Sequence, residues 1–359
     1  MKVALLIRTL LSGGAEKQCV ILAEVLAPLH DVIVIVQNGE QINSHFRERL
    51  EQVDVPVYRL DYARWHNKLM KLNGIVKAEK VDIMFSYLTS DNILAGGVRM
   101  LNKRLKVVGG IRNCKMDKGR FMVNKLLSRY LHDRTVFNNH SGYQEFIQRG
   151  FKPVKCQVIS NSIDDLNETF IERSSNLRVN VLSVCRFIEQ KDLPTALNVI
   201  KQLVEKEEIP IKYILVGYGE LEQYLRELII EMKLSDCVEM VIKPDNLQDY
   251  YKMADVYLCT SLFEGTSNSI MEALSFNLPV VTTNVGDNNQ LVVEGENGMV
   301  LEVGDVDGMV NHLKRLCTNG QLRKDYGARS KEILTEKFSR SRFEENYQIL
   351  INALNEDER

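Results

Sequence analysis

A chain of 359 residues, 45% apolar and 26% charged, is too long for one ordinary hydrophobic core, and two globular domains of roughly 150 to 200 residues are expected. No stretch reaches ~18 consecutive apolar residues, which argues against a membrane-spanning helix. Seven scattered cysteines show neither metal-ligand spacing nor a disulfide framework, as expected of a reduced, cytoplasmic protein. The net charge of −2 hides a polarity: residues 1–175 carry 26 Lys and Arg against 18 acids, and the remainder 20 against 30, so the first half is suited to an anionic partner.

Lys2 to Ile7 reads as a strand, too short for a signal-peptide core and stopped by Arg8. Gly13-Gly14-Ala15-Glu16 then forms a turn into a helical pattern from Glu16 to Leu29, the opening of a doubly wound domain. The turn is not Gly-x-Gly-x-x-Gly, so a dinucleotide fingerprint and a dehydrogenase are disfavoured. Val32 to Val36, Val55 to Leu60, Val81 to Ser86, Lys106 to Ile111, Thr135 to Asn138 and Gln157 to Ile159 alternate with helical stretches, the rhythm of a parallel sheet covered on both faces.

Residues 99–134 hold eleven Lys and Arg, with Asp117 and Asp133 as their acids. On a helical wheel Arg120, Asn124, Lys125, Ser128 and Arg129 share one face with Phe121 pointing out among them, while Met122, Val123, Leu126 and Tyr130 face the other way. A basic face with an exposed aromatic suits a membrane surface, so Arg120, Phe121, Lys125 and Arg129 are membrane-surface candidates, a solvated charged face being the alternative. His132 and His140 are read as serving helix ends or a surface. The polar run Asp165 to Leu177 reads as a linker. The domains expected are residues 1–170 and 171–340, followed by a helix over 341–359.

In the second half, candidate binding residues follow strands. Arg186 follows Val179 to Val184, Gly217-Tyr218-Gly219 follows Tyr213 to Val216, and Val285-Gly286-Asp287 follows Val280 to Thr283. Glu264 follows Val256 to Thr260, and ligands of open parallel sheets bind at that edge. The stretch Glu264-Gly265-Thr266-Ser267-Asn268-Ser269-Ile270-Met271-Glu272 places two glutamates around a turn that opens a helix from Ser267 to Phe276. Unpaired N–H groups at a helix start suit a phosphate. Glu272 then lies a turn and a half into the helix, roughly 7 to 8 Å beyond the phosphate site at ~1.5 Å per residue. A diphosphate with a hydroxylated ring at each end, which is a sugar nucleotide, fits that layout.

At these residues the chain resembles the retaining glycosyltransferases of family 4. The family pattern Glu-Gly-x-x-Asn-x-x-x-Glu-Ala followed by Pro-Val-Val is matched by Glu264, Gly265, Asn268, Glu272, Ala273, Pro279, Val280 and Val281. Asn277 stands where the family has glycine, and asparagine is the next best residue for a left-handed helix cap. Arg186 and Lys191 resemble the family's diphosphate-binding pair, with Cys185 and Asp192 replacing its two glycines. Gly13-Gly14-Ala15-Glu16 resembles the glycine loop that faces donor phosphate and acceptor, a tight structural turn being the alternative. Val158-Ile159-Ser160-Asn161-Ser162-Ile163-Asp164 resembles the segment that hands one domain to the next. Arg112-Asn113 stands where many members carry His-Asp, and with Gly-Gly-Ala-Glu it resembles the subgroup that builds capsules, O-antigens and other lipid-linked glycans.

The resemblance implies two facing Rossmann-like α/β domains of the GT-B type, with a C-terminal helix crossing back to the first. It implies transfer of a hexose or hexosamine from a nucleoside diphosphate sugar, a UDP-sugar, to a lipid-linked or polysaccharide acceptor. Glu264, Arg186 and Lys191 are then catalytic, and Gly14, Gly217, Gly219, Gly265, Thr266, Ser267, Asn268 and Glu272 join them in binding the donor. Gly13, Arg112 and Asn113 lie on the acceptor side. The enzyme would work at the inner face of an anionic cell membrane, without a nucleic-acid partner. No metal or other cofactor is expected, because Arg186, Lys191 and the helix start take the leaving-group charge. The alternatives are a sugar-nucleotide 2-epimerase-like isomerase, which would lack the Glu-Gly-x-x-Asn turn, and a binding-only relative that has lost catalysis.

Overall fold

The computed structural model describes residues 1–11, 13–39, 42–61, 64–112, 116–163 and 178–356. The linker expected over Asp165 to Leu177, and Asn113, lie outside the described residues. The chain forms two compact units, Met1–Asp164 with Phe338–Arg359, and Asp165–Lys337.

In the first unit strand and helix alternate: β1 Lys2–Ile7, α1 Gly14–Leu26, β2 Asp31–Val36, α2 Ser44–Gln52, β3 Val57–Arg59, α3 Trp65–Ala78, β4 Ile83–Ser86, α4 Thr89–Leu101 and β5 Lys106–Ile111. Then come α5 Lys118–Tyr130, β6 Arg134–Phe137, α6 His140–Gln148 and β7 Cys156–Val158. The second unit runs β8 Val179–Arg186, α7 Leu193–Glu205, β9 Ile211–Tyr218, α8 Glu222–Glu231, β10 Val238–Ile242, α9 Gln248–Met253, β11 Val256–Cys259 and α10 Asn268–Ser275. It ends with β12 Val280–Thr283, α11 Asn288–Leu291, β13 Gly298–Leu301, α12 Val306–Thr318 and α13 Gly320–Phe338, and α14 Arg340–Glu356 completes the first unit.

Both sheets are parallel, in the orders β3-β2-β1-β4-β5-β6-β7 and β10-β9-β8-β11-β12-β13. Each order reverses beside its first strand, the arrangement of a doubly wound domain. The central strands are near-continuous apolar runs because helices cover both faces; in β1, Ala4 and Leu6 pack with α3 and α4, while Val3, Leu5 and Ile7 pack with α1. α14 belongs to that second core: Phe343, Tyr347, Leu350, Ile351 and Leu354 are buried in it. Edge strands β10 and β13 carry weaker apolar patterns, and sequence periodicity does not single them out. Asn277 takes φ 56° after α10, with the Leu278 N–H bonded to the Ala273 carbonyl at 3.1 Å, the left-handed cap expected there.

The faces of α5 are the reverse of the wheel reading. Phe121 is buried against Phe146 and Phe151, with ring centroids 5.1 and 5.6 Å away, and Met122, Val123, Leu126 and Tyr130 are exposed instead. The polar residues taken as solvent-facing are buried and paired. Asn124 accepts from Asn92 Nδ2 at 2.7 Å and donates to Thr89 Oγ1 at 3.0 Å, while the Ser128 hydroxyl accepts from Thr135 at 2.8 Å. A satisfied network makes inward-facing asparagine and serine affordable, and amphipathicity alone does not distinguish that case. Lys125 is also reassigned: its ammonium donates to the Arg149 carbonyl at 2.7 Å and fastens α5 to the end of α6. Arg120 and Arg129 remain exposed. His132 is buried, not superficial; its Nε2 lies 3.2 Å from the Asn92 carbonyl and its ring fills the space a side chain on Gly109 would need.

Two buried groups near α4 titrate in opposition. Burial pushes the Asp91 carboxyl up to about 7, partly offset by hydrogen bonds from the Leu88 N–H and Gln37, and burial lowers His132 to about 4. Between pH ~4 and 6.5 folded Asp91 holds a proton that its unfolded form releases, so its contribution to stability grows as pH falls; unfolded His132 binds a proton that its folded form refuses, so its contribution shrinks. Each slope is bounded at about 1.4 kcal/mol per pH unit. Asp91→Asn is therefore expected to lose stability on acidification more steeply than wild type, and His132→Gln less steeply. Urea melts at pH 6.5 and 4.5 measure the difference, and identical slopes in all three proteins would contradict it.

Candidate active site

Four loops meet at the carboxyl edge of the second unit's sheet, and backbone contacts fix their spacing. The Phe187 N–H donates to the Tyr218 carbonyl at 2.8 Å, and the Leu221 N–H returns to the Phe187 carbonyl at 3.0 Å. A Cβ on Gly217 would lie 1.8 Å from the Cys185 carbonyl oxygen, and one on Gly219 would lie 2.4 Å from that of Phe187. Only glycine lets the end of β9 run this close to Arg186–Phe187. Thr260 Oγ1, just after β11, donates to the carbonyls of Lys191 and Asp192, both at 3.0 Å, and Leu262 N–H donates to that of Gln190 at 2.8 Å. From the β12 side, Thr283 Oγ1 donates to the Ser261 carbonyl at 2.6 Å and the Asp287 N–H to that of Gly265 at 3.0 Å.

Glu264 lies at the centre of this edge, 9% exposed. Its Oε1 is ion-paired with the Lys191 ammonium and accepts a 2.8 Å hydrogen bond from the Ser261 hydroxyl. Burial alone would lower the Lys191 pKa, but the Glu264 carboxylate beside it more than compensates and holds it above that of ordinary lysine. Lys191 is thus charged at neutral pH. Arg186 is exposed at the end of β8. Burial pushes the neighbouring Cys185 thiol up to about 12, so it is no nucleophile at neutral pH.

Gly265, Thr266 and Ser267 lead into α10, and the Ser267 hydroxyl caps it by accepting from the Ile270 N–H at 3.4 Å. Thr266 and Ser267 are buried, Asn268 half-buried. The first N–H groups of this helix have no partner within the helix itself, which gives the edge a partial positive charge. Half-buried Glu272 receives a 2.9 Å hydrogen bond on Oε2 from the hydroxyl of Tyr251. Burial first, and then the charge of Glu272, raises the Tyr251 phenol well above its usual value, so it stays a donor. Its ring is stacked on Phe276, with centroids 5.4 Å apart and planes 11° from parallel. The structure therefore brings Glu264, Lys191 and the α10 start together, and holds Glu272 by a separate aromatic support. Among the described residues, no group of three or more His, Cys, Asp and Glu gathers where it could hold a metal ion.

In the first unit, Gly13 and Gly14 form the start of α1, and Thr9 Oγ1 donates to Glu16 at 2.8 Å across that turn. Arg112 follows β5; its guanidinium lies 4.3 Å from the centroid of the buried Tyr87 ring and donates to Asn161 Oδ1 at 3.1 Å. The next residues of that segment are held too, by reciprocal bonds of Gln18 with the Ser162 carbonyl at 2.7 Å and N–H at 2.8 Å.

Comparison with known proteins supplies the family. Residues 164–333 match the family model for glycosyl transferases group 1. That stretch of the chain belongs to the family. The glycosyltransferase is 25% identical over 350 residues, 92% of its length and 94% of the relative's, to the N-acetylgalactosamine-N,N'-diacetylbacillosaminyl-diphospho-undecaprenol 4-alpha-N-acetylgalactosaminyltransferase of Campylobacter jejuni. It is 26% identical over 309 residues, 80% of each chain, to the UDP-Gal:alpha-D-GlcNAc-diphosphoundecaprenol alpha-1,3-galactosyltransferase of Escherichia coli. In fold it is similar to Anabaena HepE, solved in complex with UDP-glucose, with a TM-score of 0.82, 19% identity, and coverage of 98% of this chain and 100% of that one.

Two supporting residues of the candidate site escape a sequence reading. Tyr251 comes from α9, and only its place one element before β11 hints at a role. Ser261, three residues ahead of Glu264, lies inside the motif region but is not part of the pattern.

The loop carrying Glu264 also depends on Gly286, where φ is 57° and a Cβ would lie 2.4 Å from the Gly265 carbonyl oxygen and 2.6 Å from that of Glu264. Gly295, with φ 78°, has nothing within 4 Å of the same position. Gly286→Ala is therefore expected to cost the backbone penalty plus a clash, about 2 to 4 kcal/mol in all, and Gly295→Ala only the penalty, about 1 kcal/mol. Thermal melts of the two variants check the order, and equal losses would remove the contact from the explanation.

Proposed function

We propose that this glycosyltransferase moves a hexose or hexosamine, with retention, from a UDP-sugar to a hydroxyl of a lipid-linked glycan, working at the cytoplasmic face of the cell membrane in the assembly of cell-surface glycan. The observation that carries the reading is the fixed pair of glutamates around the α10 start: Glu264 buried on Lys191 and Ser261, and Glu272 held by Tyr251. Their supports are independent, and so are the roles assigned to them. Glu272 accepts hydrogen bonds from the ribose, the α10 N–H groups and Arg186 take the diphosphate, and Glu264 faces the sugar. Gly217 and Gly219 let the end of β9 lie against Cys185–Phe187, which sets the loop carrying Arg186 beside the donor. On the acceptor side Arg112, held in place by Tyr87 and Asn161, meets phosphate or the acceptor sugar. The printed names of the Campylobacter and Escherichia relatives support a diphospho-undecaprenol-linked acceptor, and the HepE complex supports a uridine donor.

In the reaction the bond from the anomeric carbon to the β-phosphate oxygen breaks as the acceptor oxygen arrives on the same face. The electron pair leaves with UDP, and the departing phosphate oxygen takes the acceptor's proton. Lys191 and Arg186 stabilise the growing negative charge, while the Glu264 carboxylate stabilises the positive charge developing on the sugar. Glu264 forms no covalent intermediate, in contrast to a retaining glycosidase.

The two glutamates are expected to fail differently. Glu264→Gln lowers kcat by about 2 to 4 kcal/mol of transition-state stabilisation and leaves UDP affinity nearly unchanged. Glu272→Gln mainly raises the donor KM, and Tyr251→Phe does the same more weakly, because each loses contacts made equally in ground and transition states. Steady-state kinetics with calorimetric titration of UDP separates these effects; a Glu264→Gln enzyme with normal kcat would place the sugar elsewhere. UDP at ~100 times its dissociation constant is also expected to add about 2.7 kcal/mol to stability. GDP or ADP giving the larger shift in a thermal panel would overturn the choice of base.

A further inference from the structure

The reversed faces of α5 have neighbours of the same character. α3, α4 and α5 form one layer on one face of the first sheet, and two adjacent glycines of α4 set its shape. A Cβ on Gly96 would lie 2.8 Å from Leu127 of α5, and one on Gly97 would lie 2.8 Å from Leu69 of α3. α3 and α5 therefore close tightly over α4 from its two sides. The outer surface carries large apolar side chains with no cover: Trp65 and Met70 of α3, 50% and 61% exposed, and Met122, Val123, Leu126 and Tyr130 of α5, of which Tyr130 is 67% exposed. The three helices hold eight Lys and Arg, and their one acid, Asp91, is fully buried.

We propose that this outer face of α3–α4–α5 is a docking surface for an anionic phospholipid bilayer. The inference rests on the proposed lipid-linked acceptor and adds where and how the enzyme meets the membrane. Lysine and arginine around an apolar ridge match a headgroup layer over acyl chains, with cations at the phosphates and Met, Leu, Trp and Tyr at the boundary. The charge distribution favours a bilayer over a second copy of this chain. A two-fold contact would set this cationic face against itself, and the exposed acid at its edge, the α5 cap Asp117, is already ion-paired with Arg120. No helix among the described residues is long and apolar enough to cross a membrane. The surface comprises apolar residues and cations of three helices, and on α5 the cations are Lys118, Arg120 and Arg129.

Trp65 is the chain's single tryptophan, so the wild-type protein carries its own reporter on this face. The full chain is mixed with vesicles of phosphatidylcholine alone, or with roughly one third phosphatidylglycerol, a surface that attracts basic residues. With the anionic vesicles it is expected to co-float, Trp65 emission to shift to the blue, and brominated lipid to quench it. Raised salt weakens this association. Met122→Asp with Leu126→Asp, and separately Lys118→Glu, Arg120→Glu and Arg129→Glu together, are each expected to reduce vesicle affinity at least ~10-fold while UDP binding in solution stays as in wild type. Trp65 emission that ignores the vesicles, or variants that float as well as wild type, would overturn the proposal. So would a wild-type dimer in sedimentation that both sets of substitutions dissociate. Loss of UDP binding in the wild type with retention on vesicles would instead count against the donor reading and leave this surface standing.

Discussion

A carboxylate buried at a sheet edge needs a counter-charge, and in this protein that need ties the site together. Glu264 and Lys191 are 73 residues apart in sequence, yet each supplies what makes the other's burial tolerable. Removing one partner of such a pair leaves an uncompensated charge, a loss of about 3 to 5 kcal/mol in buried examples. The loops that carry them are joined again through Thr260 and Leu262, and Thr283 braces the Glu264 loop from β12. The geometry at the start of α10 is thus set before any ligand arrives, and preorganised charge of this kind needs little rearrangement during a reaction.

The same edge shows why glycine and small polar residues concentrate where chemistry is expected. Gly217, Gly219 and Gly286 each lie against a carbonyl of a neighbouring loop at distances no side chain could share. Close backbone approach is what draws these loops together at the edge that carries Glu264 and the start of α10. The aromatic stack of Tyr251 on Phe276 performs a different task, fixing the orientation of Glu272 without adding charge. The two carboxylates are in this way held by unlike means, Glu264 by an ion pair and Glu272 by a hydrogen bond from a packed ring.

How much could be read from the sequence depended on how local the deciding contact was. The apolar runs of β1, β8 and β12 and the turn from Glu264 to Glu272 declare themselves within a dozen residues, so both sheets, the doubly wound class and the glutamate pair were legible. Lys191 was recognisable by its motif, but its pairing with Glu264 was not, because nothing in either segment specifies the other. The faces of α5 were misread for the same reason. Asn124 and Ser128 look like solvent-facing residues until Asn92 and Thr135, 32 and 7 residues away, are known to be their partners. Phe121 followed them inward into a cluster with Phe137, Phe146 and Phe151. Lys125 was likewise a surface charge in the sequence and a tether to Arg149 in the fold.

The first unit is built from two separated stretches of chain, and this orders its assembly in time. Phe343, Tyr347, Leu350, Ile351 and Leu354 of α14 fill the same core as Val20, Leu22 and Leu26 of α1, more than three hundred residues earlier. The second unit lies wholly between those stretches and needs no later residue for its own core. During synthesis the half that emerges first therefore waits with one apolar face of α1 uncovered, while the half that emerges second can close. Domains generally fold as units, N-terminal first during synthesis, and a first unit that needs α14 departs from the conditions for that order. Until α14 has been made, the apolar face of α1 that it covers has no partner from that helix.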